Sequence, residues 1–166
     1  MTSEPIEFTT SLTHFDLNEF VRRVLAEDLG SGGDVTSCAT IAADARFAAV
    51  MACREPITVA GLDIAVAFFR ALDREVRVTR EVRDGDAIAA GTVLLRLDGN
   101  ARAMLAAERS ALNTLQHLSG IATLTARYVT AIGDGKDVNN RDRFHFGRQA
   151  ADVPNRFAGI DRKSVV

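Results

Sequence analysis

The sequence predicts an α+β fold, because segments with a helical period alternate with segments that have the period of a strand. Apolar residues recur every three or four positions over residues 16–30 and again over 62–73. Val76, Val78 and Val82 alternate with charged residues, and Val93, Leu95 and Leu97 repeat at every second position, which is the spacing of half-buried strands. Short turns containing glycine separate these segments, and short turns favour antiparallel pairing.

Length and composition limit the class of protein. The chain has 166 residues, of which 47% are hydrophobic and 25% charged, values typical of a soluble globular domain with room for a second small piece. A formal net charge of −2 argues against a protein that coats nucleic acid. No apolar run reaches the roughly 18 residues of a membrane span, and the start of the chain lacks the core of a signal peptide. These features predict a cytoplasmic protein without membrane or nucleic-acid partners.

The first helix has a clear beginning and end in the sequence. Residues 1–13 are predicted to be a loose polar lead-in. Asp16 and Glu19 have the spacing of a capping box, and Gly30 is placed to end the helix. The predicted apolar stripe comprises Leu17, Phe20, Val21, Val24 and Leu25.

Neither the glycine-rich segment 27–37 nor the two cysteines has the pattern of a metal-binding or phosphate-binding site. The segment EDLGSGGDVTS, residues 27–37, carries Asp28 and Asp34, but two carboxylates supply too few oxygens for a cation, so a capped turn-rich loop is favoured. No lysine follows its glycines, which excludes a phosphate-binding P-loop. Cys38 and Cys53 lie outside any CxxC or Cys/His cluster, so we expect both to be buried thiols in a reducing compartment.

The middle of the chain predicts a buried strand, a helix and two more strands. The run RFAAVMACR at 46–54 reads as a strand buried on both faces. A helix follows Gly61, and its expected packed face comprises Ile64, Phe68, Ala71 and Leu72. The segment VRDGDAIAAGTVLLRLDG resembles the hammerhead turn of biotinyl and lipoyl carrier domains. A carrier needs an exposed lysine at a hairpin tip, and none precedes Lys136, so the likeness indicates only shared strand-turn geometry.

A helix over residues 101–119 is the strongest single prediction, because the segment has no proline or glycine. Its expected buried face comprises Met104, Ala111, Leu115, Leu118 and Ala122. Arg109, Asn113 and Gln116 form an adjacent polar row that Gly120 continues as a backbone opening. The pattern alone allows two interpretations of this polar row. In the first, Arg109 pairs with a nearby carboxylate and the two amides hydrogen-bond the helix to a neighbouring element. In the second, the row lines a binding site for an anion.

The last part of the chain changes character. A second short helix is predicted after Gly120, packed through Leu124, Tyr128 and Ile132. Residues 133–166 show no sustained period and are predicted to be an irregular or disordered tail. Four basic residues there could suggest a phosphate patch, but interspersed aspartates weigh against it. These are Lys136, Arg141, Arg143 and His145.

Two segments resemble a known family. ERSALNTLQHLSGIATLT, within 105–125, is similar to the ERTALN-LQ-SGIAT segment of quinolinate phosphoribosyltransferase, also called nicotinate-nucleotide pyrophosphorylase (carboxylating). EDLGSGGDVTS resembles the EDLG-GDVTS signature of the same family. The likeness covers residues 16 to about 136, after which the family's D-T-R-K-T run is absent. A shifted reading frame or truncated gene product is our hypothesis for the tail, tested by sequencing the downstream DNA in all frames.

The resemblance implies a fold and a domain division. It implies a hammerhead-like antiparallel sheet with helices over residues 14–100, followed over 101–132 by the leading helices of a truncated α/β barrel. The apolar face of helix 101–119 would then lose the barrel elements that cover it. Since exposing a Leu-sized side chain costs roughly 1.5–3 kcal/mol, poor solubility or self-association is expected.

The resemblance also implies an activity. The family is a glycosyltransferase (pentosyltransferase) of NAD biosynthesis, converting quinolinate and phosphoribosyl pyrophosphate to nicotinate mononucleotide, pyrophosphate and CO2 with Mg²⁺, as a homodimer. Arg109 matches the motif arginine that binds a quinolinate carboxylate across the dimer interface. Glu108, Asn113 and Gln116 match the motif as support for the helix and for the surroundings of the site, and His117 is expected to be exposed. No catalytic residue or metal ligand can be assigned in this chain.

Three functional hypotheses follow. In the first, the chain is a quinolinate phosphoribosyltransferase by descent and is inactive alone, because the family's barrel residues are missing. In the second, it is a non-catalytic dimerising or binding fragment. In the third, it is a related molybdenum-associated family member acting on another substrate. The ERSALN and LSGIAT strings fit the quinolinate branch better than the molybdenum-associated one.

Overall fold

The computed structural model describes residues 15–132 and the backbone of residues 160–164. Within them the chain alternates helices and strands, which confirms the predicted α+β class. The helices are α1 (Leu17–Leu29), α2 (Val35–Thr40), α3 (Leu62–Leu72) and α4 (Ala101–Ile132). The strands are β1 (Arg46–Cys53), β2 (Ile57–Thr58), β3 (Arg77–Arg80), β4 (Ala87–Ile88), β5 (Val93–Asn100) and β6 (Ile160–Ser164).

The main sheet is antiparallel, with strand order β3-β5-β1-β6. Its longest pairing runs from Arg46 opposite Asn100 to Ala52 opposite Val93, with an irregularity between Met51 and Ala52. A second, two-stranded sheet joins β2 and β4. The antiparallel sheet with helices agrees with the predicted architecture, and the predicted segment 76–82 is strand only over Arg77–Arg80.

β1 is less buried than predicted. The expectation of burial on both faces holds only at its last three residues, Met51, Ala52 and Cys53, while Arg46 and Ala48 are exposed. An antiparallel strand needs a core on one face only, so an alanine-rich run can leave its other face open. Cys53 is buried and its thiol donates to the Ala89 carbonyl oxygen at 2.9 Å.

α1 matches its prediction closely. The Asp16 carboxylate accepts a hydrogen bond from the Glu19 backbone N–H at 3.0 Å, which satisfies a donor that the helix itself leaves free. The Glu19 carboxylate pairs with the Arg22 guanidinium at 2.8 Å. Gly30 ends the helix with φ of 56°, a conformation that glycine adopts without steric cost. Leu17, Val21 and Leu25 are buried, and Phe20 and Val24 pack partly against the same core.

The packed face of α3 is displaced from the predicted one. Phe68 is fully buried as expected, but Ala71 and Leu72 are exposed and Ile64 is only half-buried. α3 packs against both α1 and α4, so its first two turns are covered on several sides while its last turn projects into solvent. The buried residues are Leu62, Ala65, Val66, Ala67, Phe68 and Phe69.

α4 is one helix of 32 residues, so the predicted break at Gly120 is wrong. Glycine inside a helix costs about 1 kcal/mol relative to alanine, but Gly120 is buried. Tertiary packing around it outweighs that local cost. Met104, Ala111 and Leu115 are buried as predicted, and Leu118 and Ala122 are half-buried.

The exposed apolar surface lies at a different place from the one predicted. The face of residues 101–119 is covered within the described fold, because it joins the same core cluster as α1, α3 and β5. The C-terminal part of α4 is instead exposed, including Leu124, Tyr128 and Ile132, which were predicted to pack. Among the described residues, the large apolar side chains of this part of the helix are not covered by the other elements. The predicted domain boundary at residue 100 stays a prediction.

Five residues of the tail form a strand, so the expectation of an irregular tail is wrong over Ile160–Ser164. β6 pairs antiparallel with β1, from Ala49 opposite Ser164 to Cys53 opposite Ile160. The outer edge of β1 offers backbone N–H and C=O groups that an extended segment can satisfy. The predicted lead-in 1–13 and the basic residues at 136–145 lie outside the described residues.

Two smaller findings complete the fold. Cys38 is exposed, so the expectation of a buried thiol is wrong there. The reason is that α2, which carries it, is a six-residue helix at the surface. Over the described ranges, no helix combines the length and apolarity needed to cross a membrane.

Candidate substrate-binding site around Arg109

The structure brings together the two motifs that pointed to a family. Asp28, near the end of α1, comes from the EDLG string, and Arg109 and Ser110 of α4 come from ERSALN. The Arg109 Nη1 atom lies 3.9 Å from Asp28 Oδ1. The Ser110 hydroxyl donates a hydrogen bond to Asp28 Oδ2 at 3.1 Å, across 82 positions of sequence. The two motifs therefore meet at one carboxylate.

The three side chains of this cluster differ sharply in exposure. The Arg109 side chain is 76% exposed and that of Asp28 is 19% exposed, while Ser110 is buried. A separation of 3.9 Å is longer than a hydrogen bond, so Asp28 holds Arg109 electrostatically without enclosing it. A guanidinium has five N–H donors in a planar fork suited to carboxylates. Arg109 thus pairs with a carboxylate and stays accessible to an anion. Its geometry is compatible with both interpretations of the polar row, a structural ion pair and an anion site.

The two amide residues of the predicted row, Asn113 and Gln116, have positions that do not test their predicted roles. Asn113 is exposed and Gln116 is half-buried, and Gln116 interacts with another group. Gly120 is buried, so the row does not end in a backbone opening. His117 is exposed, as predicted. The supporting roles of Asn113 and Gln116 stay predictions.

Glu108 faces a different part of the molecule. It is half-buried, interacts with another group, and lines an open, shallow apolar cleft between the sheet and α4. Other residues lining that cleft are Phe47, Met51, Phe69, Leu97 and Met104. The predicted role of Glu108 in supporting the helix and the site stays a prediction.

The two carboxylates of the segment 27–37, Asp28 and Asp34, make contacts with different helices. Asp34 accepts from the Ser37 backbone N–H at 2.9 Å and caps α2, which confirms the capped-loop reading at that position. Hydrogen bonds from the side chain and backbone of Ser37 lower the pKa of Asp34 below its ordinary value, because they stabilise the charged form. Asp28 lies against α4 instead, so the two carboxylates do not act as a pair.

Sequence reasoning missed two of the three residues in the cluster. Asp28 was considered only as a loop residue or cation ligand, and Ser110 was not singled out. Their position inside the two family-like strings is the only sequence feature that could have identified them. Hydrophobic periodicity could not predict that Asp28 contacts Ser110, because it describes each helix separately.

The requirement for Mg²⁺ stays a prediction. Within 15–132 no group of three or more His, Cys, Asp or Glu side chains lies close enough to hold a metal ion. A hard divalent cation is usually bound by carboxylates together with substrate phosphates. No chemical step is therefore assigned to a metal held by these residues.

Comparison with known proteins agrees with the two motifs. Residues 34–119 match the family described as quinolinate phosphoribosyl transferase, N-terminal domain. The chain is 38% identical over 117 residues to quinolinate phosphoribosyltransferase (decarboxylating) 2b, mitochondrial, of Nicotiana tabacum, covering 70% of this chain and 33% of that protein. It is 40% identical over 117 residues to nicotinate-nucleotide pyrophosphorylase (carboxylating) of Mycobacterium leprae (strain TN), covering 68% and 40%.

Solved structures show the same relationship. The nicotinate-nucleotide pyrophosphorylase from Francisella tularensis matches with a TM-score of 0.65 and 35% identity, over 70% of this chain and 41% of that one. NadC from Streptococcus pyogenes matches with a TM-score of 0.67 and 35% identity, over 71% and 42%. The chain spans only about a third to two fifths of the two curated relatives named above. With the fold, both motifs and these similarities in agreement, the chain belongs to the quinolinate phosphoribosyltransferase family, through that family's N-terminal domain.

Proposed function

We propose that the chain supplies the amino-terminal portion and one substrate-binding arginine of a quinolinate phosphoribosyltransferase. The reaction joins quinolinate to phosphoribosyl pyrophosphate and yields nicotinate mononucleotide, pyrophosphate and CO2 in NAD biosynthesis. The observation that carries the proposal is the Arg109 guanidinium, 76% exposed yet held beside Asp28 where the two family motifs meet. Names of the relatives support the quinolinate substrate over that of a molybdenum-associated enzyme.

The reaction needs several positively charged groups, and Arg109 is one of them. Quinolinate carries two carboxylates, and a guanidinium can bind one of them through two parallel N–H···O bonds. Positive charge near the ring also stabilises the carbanion left when CO2 departs. The phosphate and pyrophosphate of the donor need further cations. In this proposal those groups belong to the part of a complete enzyme that residues 15–132 do not contain, and the chain alone is inactive.

The wider setting forms part of the same proposal. Mg²⁺ would neutralise the departing pyrophosphate and would be held by residues outside the described ones. The enzyme is a cytoplasmic homodimer, and Arg109 reaches into the partner's barrel. The high exposure of Arg109 supports that role, because a residue that serves a second subunit must project from its own.

A second candidate function is a non-catalytic fragment that associates through the exposed apolar part of α4. The observation in its favour is a run of large exposed hydrophobic side chains in the last twelve residues of that helix. These are Ile121, Leu124, Tyr128, Val129 and Ile132. Such a fragment would self-associate without binding quinolinate.

Reassembly with the missing portion tests the proposal. The 166-residue chain is co-expressed with the remaining part of the Mycobacterium leprae relative, and nicotinate mononucleotide formation is measured with quinolinate, the ribosyl donor and Mg²⁺. We expect activity from the pair, none from either piece alone, and a loss of at least about a hundredfold with Arg109→Ala, because the substrate loses a positioning contact and a positive charge. An inactive pair that co-purifies would contradict the enzyme proposal and favour the non-catalytic fragment.

A further inference from the structure

The Arg109 side chain is largely exposed, whereas the carboxylate of Asp28 beside it is largely buried. A long arginine side chain at the surface samples many rotamers, and this freedom is lost when it binds a ligand. Asp28 is mostly buried, and its second oxygen is occupied by the buried Ser110 hydroxyl. The carboxylate therefore has a defined position from which it attracts one nitrogen of the guanidinium.

The geometry points to Asp28, held in place by Ser110, as a positioning residue that restricts the Arg109 guanidinium for the substrate carboxylate. This inference rests on the proposed function and deepens it. Asp28 lies on α1 and Ser110 on α4 beside Arg109 itself. A small movement of α1 relative to α4 would change the direction of the guanidinium, so the contact also links the packing of the two helices to the site.

A purely structural role for Asp28 predicts different geometry. An ion pair that only ties two elements together is expected at hydrogen-bonding distance, like that of Arg46 on β1 with Asp98 on β5 at 2.7 Å. The Arg109–Asp28 separation is 3.9 Å, and the hydrogen bond that ties the helices is the one from Ser110. The charge of Asp28 thus acts on Arg109 without using up its donors.

The sign of the effect on substrate binding follows from two opposing contributions. Removing the negative charge of Asp28 weakens its repulsion of a substrate carboxylate, but at an exposed, screened site this gain is about twofold. Releasing Arg109 to sample more rotamers weakens binding by about five- to tenfold. The net expectation is weaker binding of quinolinate when Asp28 is neutralised.

Nuclear magnetic resonance on the full 166-residue chain tests the positioning without substrate. The ¹⁵N heteronuclear NOE of the Arg109 Nε–Hε group reports its order, and Arg127, exposed on the same helix, provides an internal reference. In the wild type we expect a higher value for Arg109 than for Arg127. With Asp28→Asn or Ser110→Ala we expect the Arg109 value to fall to that of Arg127.

The two variants separate charge from placement. Asp28→Asn keeps an oxygen that can accept from Ser110 but removes the charge, whereas Ser110→Ala keeps the charge but frees the carboxylate. Asp98→Asn is the matched control, since it breaks the Arg46–Asp98 ion pair and should leave Arg109 unchanged. Should Asp28→Asn fail to fold, Ser110→Ala decides the question. Unchanged order of Arg109 in well-folded variants would overturn the inference.

Kinetics of the reassembled pair supply a second readout that a merely structural role would not produce. With Asp28→Asn we expect KM for quinolinate to rise about 2.5- to fivefold, the net of the two contributions, while kcat changes less than twofold. A fall in KM would show that Asp28 acts only through charge and would overturn positioning. If the wild-type pair makes no nicotinate mononucleotide, the proposed function fails, whereas the resonance measurement still decides whether Asp28 and Ser110 order Arg109.

Discussion

The two parts of α4 carry similar residues but have opposite environments. From Ala101 to Gly120 the helix packs against α1, α3 and the sheets, and its apolar residues join the common core. From Ile121 to Ile132 large apolar side chains are exposed. The difference teaches that an apolar stripe marks a face able to pack, while the neighbouring elements decide whether it does.

The largest contrast is expected from truncating one leucine in each part. Leu115→Ala removes a fully buried side chain (0% exposed), whereas Leu124→Ala removes one that is 38% exposed. We expect a loss of about 2–5 kcal/mol of unfolding free energy for the first, through lost burial and the cavity left behind. For the second we expect less than about 1 kcal/mol. Urea denaturation followed by circular dichroism measures both, and equal losses would contradict the assigned packing.

A buried hydroxyl provides the next contrast. The Ser119 hydroxyl accepts from the Ala60 backbone N–H at 3.1 Å and lies 3.3 Å from the Ala60 carbonyl oxygen. Ser119→Ala leaves those backbone groups without this partner and should cost about 1–3 kcal/mol. Thr125→Ala is the control, because the Thr125 hydroxyl donates to the Ile121 carbonyl of its own helix at an exposed site. There the same denaturation experiment should detect a change below about 0.5 kcal/mol, and a similar change for both would show that the contact with Ala60 contributes nothing.

The approach of α4 to the turn before α3 gives a smaller effect. Gly61 has φ of 96°, and a Cβ there would lie 2.6 Å from Leu118 Cδ1, whereas Gly91 has φ of 85° with nothing near. Alanine at either position incurs backbone strain of about 1 kcal/mol or more. Gly61→Ala should cost about 1 kcal/mol beyond Gly91→Ala, because Leu118 must move. Equal melting temperatures for the two variants would mean that Leu118 yields without cost.

The smallest effect on stability is expected in the exposed part, where the readout is association. Ile121→Gln combined with Val129→Gln replaces two exposed apolar side chains without breaking the helix. The unfolding free energy should change by less than about 0.5 kcal/mol, while self-association measured by sedimentation velocity should decrease. A large loss of stability would show that this face is packed in the chain as it folds.

The motif strings carried most of what could be predicted about the site. They directed attention to Arg109 through its resemblance to a known arginine, and the family match over residues 34–119 agrees with that assignment of family. Geometry then added Asp28 and Ser110, which no local pattern in either helix connects to Arg109. The amides Asn113 and Gln116 show why the rest was harder: their spacing along α4 was visible, but their partners depend on distant elements.

By itself the sequence determined the features that depend on neighbouring residues. The Asp16 cap and the Gly30 end of α1 follow from local hydrogen bonding and backbone freedom. The alternation expected for β5 is wrong at Leu94, which is as fully buried as its neighbour Leu95. Only the tertiary structure decided that α4 continues through Gly120, that its last turns are exposed, and that Asp28 meets Arg109. The physical reason is that burial and electrostatic contact depend on what lies across space, and here the partners are about 80 residues apart in the chain.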